Sequence, residues 1–112
     1  MHLPSQAQLL RIYIDETDKY DGRPLYEVIV EEARKRGMAG ATVIRAMMGY
    51  GAHSRIHTSK ILRLSEDLPV VVEIVDKHER IKPFLTQLNP MIDEGLVTLE
   101  NVEVVVYRHG EE

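Results

Sequence analysis

The sequence predicts an α+β fold: a ferredoxin-like βαββαβ sandwich, a four-stranded antiparallel sheet with two helices on one face. Three observations predict it. Four stretches read as strands, the first alternating Leu10, Ile12 and Ile14 with Arg11 and Tyr13 at a period of two. Two others repeat apolar residues at helical spacing. Along the chain these stretches run strand, helix, strand, strand, helix, strand.

The first strand is "LLRIYID", Leu9 to Asp15, where Leu10, Ile12 and Ile14 alternate with Arg11 and Tyr13. Asp21-Gly22 then supplies a turn, and Pro24 suits the first turn of a helix. That helix is "PLYEVIVEEARKRG". Leu25, Val28, Ile29, Ala33 and Arg36 share one face, and Glu31 with Lys35 and Glu32 with Arg36 are favourable i,i+4 pairs. Gly37 is a natural stop. "ATVIRAMMG" reads as the second strand, with Thr42, Ile44, Ala46 and Met48 expected on the helix-facing side. "LPVVVEIVD" is the third, with Val70, Val72 and Ile74 on that side. The second helix carries Ile81, Phe84, Leu85 and Leu88, and Asp76 with Glu79 has the spacing of a capping box. Pro83 must kink this helix or open a later one. Gly95 reads as the end of the helical region. "VTLENVEVVVY" is the last strand, with a break expected at Asn101.

Composition sets the class. The 112 residues form one expected domain, 1–112, with 44% hydrophobic and 29% charged residues. There is no cysteine, which excludes disulfides, thiolate metal sites and a thiol nucleophile. No apolar run approaches the roughly 18 residues of a membrane span, and "MHLPSQAQ" lacks the features of a signal peptide. A cytoplasmic protein is expected. No P-loop, nucleophile elbow or H-E-x-x-H motif occurs, so the chain is not expected to be an enzyme, nor to need an obligatory cofactor. With 5% aromatics and a net charge of -4, it is not expected to bind nucleic acid.

Charge is unevenly placed. From Ala33 to Ser65 there is no Asp or Glu, and the segment carries +7 while the remainder carries -11. Inside it lies "GYGAHSRIHTSK", residues 49–60, in the connection between the second and third strands. A hairpin needs about two residues there. A connection this long inside a compact domain is usually functional. It is expected to be a flexible loop over about residues 52–67. Its glycines permit positive φ and close approach of backbone amides to an anion, although G-x-G also serves an ordinary strand end. Arg55 can clamp phosphate oxygens in bidentate fashion. His57 can donate beside it. Tyr50 packs on a ligand or within the protein.

The expected open face of the sheet carries Leu9, Arg11, Tyr13, Val43, Arg45, Met47, Val71, Glu73, Val75, Glu103, Val105 and Tyr107. Eight of these are apolar or aromatic, too many for a face left in water. Association of copies of the chain is expected. Arg45 is the expected partner of Glu73 or Glu103.

"GMAGATVIRAMMGYG", "SRIHTSKILRLSEDLPVVVEIVD" and "GLVTLENVEVVVY" together resemble the uncharacterised PII-like family (UPF0166 type). That family is a distant relative of the nitrogen-regulatory PII signalling proteins. The resemblance spans about Leu9 to Tyr107. It implies a homotrimer with inward-facing sheets and adenine-nucleotide sites in the clefts between subunits. It also implies a regulatory loop between strands two and three that engages a membrane transporter or an enzyme. The nucleotide-binding residues so implied are Gly49, Tyr50 and Gly51 of the Gly-aromatic-Gly turn, with Gly40 and Thr42 across the cleft. Arg108 and His109 stand where PII proteins carry paired arginines. Leu96 replaces a phosphate-binding lysine, and the Thr42–Gly49 spacing is one residue longer, as a bulge would require. These departures favour AMP or ADP over a triphosphate. The alternative is a metal-binding, CutA-like trimer using His53 and His57, four residues apart and so able to share a face.

Overall fold

The computed structural model describes residues 3–50, 57–58 and 68–108. Six principal elements appear in the expected order: β1 (Gln6–Asp15), α1 (Leu25–Lys35), β2 (Thr42–Arg45), β3 (Pro69–Asp76), α2 (His78–Leu88) and β4 (Leu96–Glu103). The sheet runs β2-β3-β1-β4 with antiparallel neighbours throughout. The two long hydrophobic strands are thus central, and the first and last halves of the chain interlock.

The core lies on the helix side. Leu10, Ile12 and Ile14 of β1 join Val70, Val72 and Ile74 of β3, as their alternation requires. Leu25, Ile29 and Ala33 of α1 and Ile81, Phe84 and Leu88 of α2 complete the same cluster. Burying each large aliphatic side chain contributes roughly 1.5–3 kcal/mol, so this stripe is the main force holding the helices to the sheet.

Gly37 ends α1 as expected. Its φ is 68°, the Met38 amide donates to Ala33 O at 3.1 Å, and its own amide donates to Arg34 O at 3.0 Å. This is the Schellman arrangement that a left-handed residue allows. Arg80 of α2 covers the next two carbonyls: its Nη1 donates to Arg36 O at 3.0 Å and Gly37 O at 2.8 Å.

Several expectations are corrected. β1 starts at Gln6, not Leu9. No capping box forms, because the oxygens of Asp76 accept from the Lys77 and Ala39 amides instead. α2 runs through Pro83. The proline forgoes a bond to the Glu79 carbonyl, and both residues lie on the exposed side, where water satisfies that oxygen. β4 is continuous through Asn101, which pairs with Gln8 in the ladder and accepts a 3.4 Å hydrogen bond from its side chain. Two amides facing each other keep the polar residue within the strand.

The faces of β2 are the reverse of those expected. Thr42 lies opposite Glu73 and Ile44 opposite Val71, on the open side. Val43 lies opposite Val72 and Arg45 opposite Val70, on the helix side. Period-two alternation says that a strand has two faces but not which one is turned inward. At this edge the helices do not reach, and all four β2 residues are exposed. On β4 the open-face residues are Leu96, Thr98, Glu100 and Val102. Glu103 lies opposite Gln6, whose parity on β1 is that of Gln8 and the core, while Val105 and Tyr107 fall beyond the strand.

Past β2 the Ala46 amide donates to Pro69 O, and the chain bends at Met47. Met48–Gly49 then pairs with His57–Thr58 as a short separate ribbon. The rest of the loop expected at about 52–67 lies outside the described residues.

Gly95 does not end α2, which stops at Leu88 and continues as one 3-10 turn, Asn89–Met91. It admits the chain to β4. Its φ is 156°, and a Cβ there would stand 2.8 Å from Tyr13 O, a backbone atom that cannot move aside cheaply. Gly95→Ala should therefore lower stability by about 1–3 kcal/mol. Urea unfolding should show an earlier midpoint at unchanged slope.

Candidate functional site

The open sheet face is organised around one cation. Arg11 stands opposite Glu73 on β3 and beside Glu100 on β4. Its Nε donates to Glu73 Oε2 at 3.0 Å and its Nη1 to Glu100 Oε1 at 2.7 Å. The Glu73 hydrogen bond, with the Glu100 charge adding to it, outweighs desolvation and holds the Arg11 guanidinium above its ordinary pKa. Arg45, the residue expected in this role, sits on the other side of the sheet and pairs with Glu16 at 3.1 Å. Around Arg11 the face stays apolar, and Tyr13, Ile44 and Leu96 are exposed by 37%, 47% and 56%.

At one end of this face lies an open groove of about 770 Å³. Thr42, Glu73, Val75 and Val102 form its floor, all on the open side by register. Ala39, Gly40 and Ala41, which lead into β2, form one wall. Glu103, which ends β4, and residues 104–107 after it form another. Among the described residues the lining includes two carboxylates, Glu73 and Glu103, and no lysine or arginine.

The wall at Ala39 is fixed from both sides. Its amide donates to Asp76 Oδ2 at 2.9 Å, and its carbonyl accepts from the Tyr107 hydroxyl at 2.9 Å. Asp76 is 1% exposed, and its Oδ1 accepts from the Lys77 amide at 2.7 Å. Hydrogen bonds to charged acceptors are stronger than neutral ones, so the buried carboxylate sets the position of this turn. Sequence reading assigned Asp76 to helix capping and did not connect it with the groove. The available signal was its parity: it continues the inward series Val70, Val72, Ile74.

Of the sequence-predicted residues, Gly40 and Thr42 line the groove. Gly40 has no positive φ, and a Cβ there would meet open space, so the glycine leaves bare backbone at the wall rather than relieving strain. Gly49 has no positive φ either. It packs closely on Pro69, whose Cγ would lie 3.1 Å from an added Cβ. Tyr50 is exposed and follows the short ribbon. Neither Gly49 nor Tyr50 lines the groove. His57 enters that ribbon opposite Gly49. Arg108 is exposed and follows Tyr107. Gly51, His53, Arg55 and His109 lie outside the described residues. Among the described residues no three His, Asp or Glu side chains gather as a metal site would require.

The family model DUF190, described as "Uncharacterized ACR, COG1993", matches residues 7–104. The chain belongs to the DUF190 family. A UPF0166 protein of Aquifex aeolicus (strain VF5) is 46% identical over 100 residues, covering 89% of this chain and 94% of the relative. A UPF0166 protein of Methanocaldococcus jannaschii is 36% identical over 100 residues, covering 88% and 92%. Among solved structures, the PII-like protein CPII of Thiomonas intermedia K12, bound to ADP, AMP and bicarbonate, superposes with a TM-score of 0.67 at 18% identity, covering 88% of each chain. A PII-like protein of Thermus thermophilus gives 0.65 at 22% identity over 94% of each. At these identities the structures show that this DUF190 chain has the PII-like, ferredoxin-like fold.

Asp76→Asn tests the anchoring of the groove in this DUF190 chain. An amide offers one acceptor oxygen where the carboxylate offers two, so one buried backbone amide loses its partner, at a cost of about 1–3 kcal/mol. The Ala39 or the Lys77 amide resonance should shift strongly, with the Thr42 resonance following if the wall moves. An unchanged spectrum together with unchanged stability would contradict the anchoring.

Proposed function

We propose that this DUF190 chain is a cytoplasmic PII-like signalling protein, not an enzyme, that binds AMP or ADP in this groove. The groove stands at a boundary between subunits of a homotrimer. The segment between β2 and β3, about 52–67, contacts the regulated partner, a membrane transporter or an enzyme. One observation carries the reading: the groove falls on Gly40 and Thr42, the residues the PII-like pattern assigns to the nucleotide, and it opens on a sheet face still exposing Tyr13, Ile44 and Leu96. Exposed apolar side chains on that scale favour burial by a second copy. CPII, a protein of the same fold, is bound to ADP and AMP, which supports an adenine nucleotide here.

The lining favours one orientation of the ligand. The described lining offers a phosphate no lysine or arginine, while the valines and bare backbone accept a base. The nucleoside therefore faces inward beside Thr42. On this reading the phosphates are met across the subunit boundary, by Arg55, His57, Arg108 and the amides of Gly49, Tyr50 and Gly51 of a neighbouring copy. That division agrees with a mono- or diphosphate, because a longer phosphate chain gains no cation from the described lining.

Titration calorimetry with AMP, ADP, ATP and zinc tests the site. AMP or ADP should bind in preference to ATP. Arg55→Ala should weaken binding about ten- to a hundredfold, the worth of one charge-assisted hydrogen bond. No heat from any adenine nucleotide, with stoichiometric zinc uptake lost in His53→Ala, would replace this reading with the metal-binding one. Native mass spectrometry should show three times the 12.8 kDa chain mass, and Ile44→Glu should dissociate the assembly by burying an unpaired carboxylate.

A further inference from the structure

The residues after β4 turn back across the sheet. β2 and β4 occupy opposite edges, three strand spacings or about 14 Å apart. At the β4 side the Val104 amide donates to Ser5 O at 2.7 Å. At the β2 side the Tyr107 hydroxyl donates to Ala39 O. The three extended steps from Val104 to Tyr107 reach about 10 Å and the tyrosine side chain adds the remainder, so residues 104–107 span the sheet end and wall the groove. Burial along β1 is greater at this end of the sheet. On the open face Ala7, at this end, is 5% exposed, whereas Tyr13, at the other end, is 37% exposed.

The middle of the crossing is lightly held. Val105 is 86% exposed and Val106 59%, so their side chains bury little against the floor. The tyrosine end, by contrast, meets a fixed point, since Ala39 is itself held by Asp76. We propose that residues 104–107 form a strap over the groove, hinged near Val104 and latched by the Tyr107 hydroxyl on the Ala39 carbonyl. Release of the latch opens the groove. Passage of a nucleotide rests on the function proposed above, but the latch does not.

The chain contains no cysteine, so Val75→Cys places a single thiol on the groove floor. Its rate of modification by a bulky maleimide reports opening of the strap. Adding Tyr107→Phe should raise that rate about fivefold, the equilibrium factor of one neutral hydrogen bond. Tyr107→Ala should raise it at least as much, at unchanged circular dichroism. Equal rates in all three proteins would overturn the latch. Thr42→Cys serves in the same way if Val75→Cys does not fold. Stopped-flow binding of AMP should then show faster association and faster dissociation in Tyr107→Phe at nearly constant Kd. Faster dissociation alone would mean that Tyr107 holds the ligand rather than gates it, and would overturn the strap as a gate. If the native protein binds no adenine nucleotide, the functional reading fails while the thiol rates still decide the latch.

Discussion

The geometry around the groove depends on one buried carboxylate. Asp76 ends β3, precedes α2 and takes the amide of Ala39, thirty-seven residues earlier in the chain. A buried carboxylate is tolerated only where hydrogen bonds replace its lost hydration. Here the donors are backbone amides at the helix entrance and at the turn into β2. Neither donor is a side chain that could rotate away. The requirement to satisfy Asp76 therefore fixes how the end of β3, the start of α2 and the entry to β2 sit together.

Arg80 reinforces the same junction. It holds the two carbonyls that α1 leaves open at its C-terminus, while Arg36 donates to Gln87 at 3.1 Å further along α2. The turn between α1 and β2 is thus fastened by its Ala39 amide to Asp76 at the end of β3 and by its carbonyls to Arg80 of α2. Its mainly polar fastening explains how a stretch of small residues, Ala39-Gly40-Ala41, can form a defined wall with few side-chain contacts of its own. The open face follows a different logic. There a single guanidinium satisfies Glu73 and Glu100, and the surrounding apolar residues stay exposed.

Much of this architecture was legible in the sequence, and the reasons are specific. Leu10, Ile12, Ile14, Val70, Val72 and Ile74 alternate without interruption, so the two central strands could be placed by period alone. Gly37 and the i,i+4 pairs gave the limits of α1. β2 was legible as a strand but not in its orientation: at an exposed edge both faces of "TVIR" meet solvent, and the pattern carries no direction. Asn101 looked like a break because a lone residue gives no hint of its partner Gln8. The groove was only half legible. Gly40 and Thr42 came from a family likeness. The contributions of Asp76, Tyr107 and the segment after β4 arise from contacts between residues far apart in the chain, which no local pattern encodes.

The ribbon that pairs Gly49 with His57 has a consequence for how this protein diversifies. Its two strands meet outside the main sheet, so the spacing of the chain ends is set before residue 50 and after residue 56. The cost of closing a loop grows only with the logarithm of its length, about 0.6 kcal/mol per doubling. Insertions and deletions between those positions thus leave the core, the Asp76 junction and the groove floor undisturbed. Such a layout lets the sequence between those positions vary at little cost to the fold.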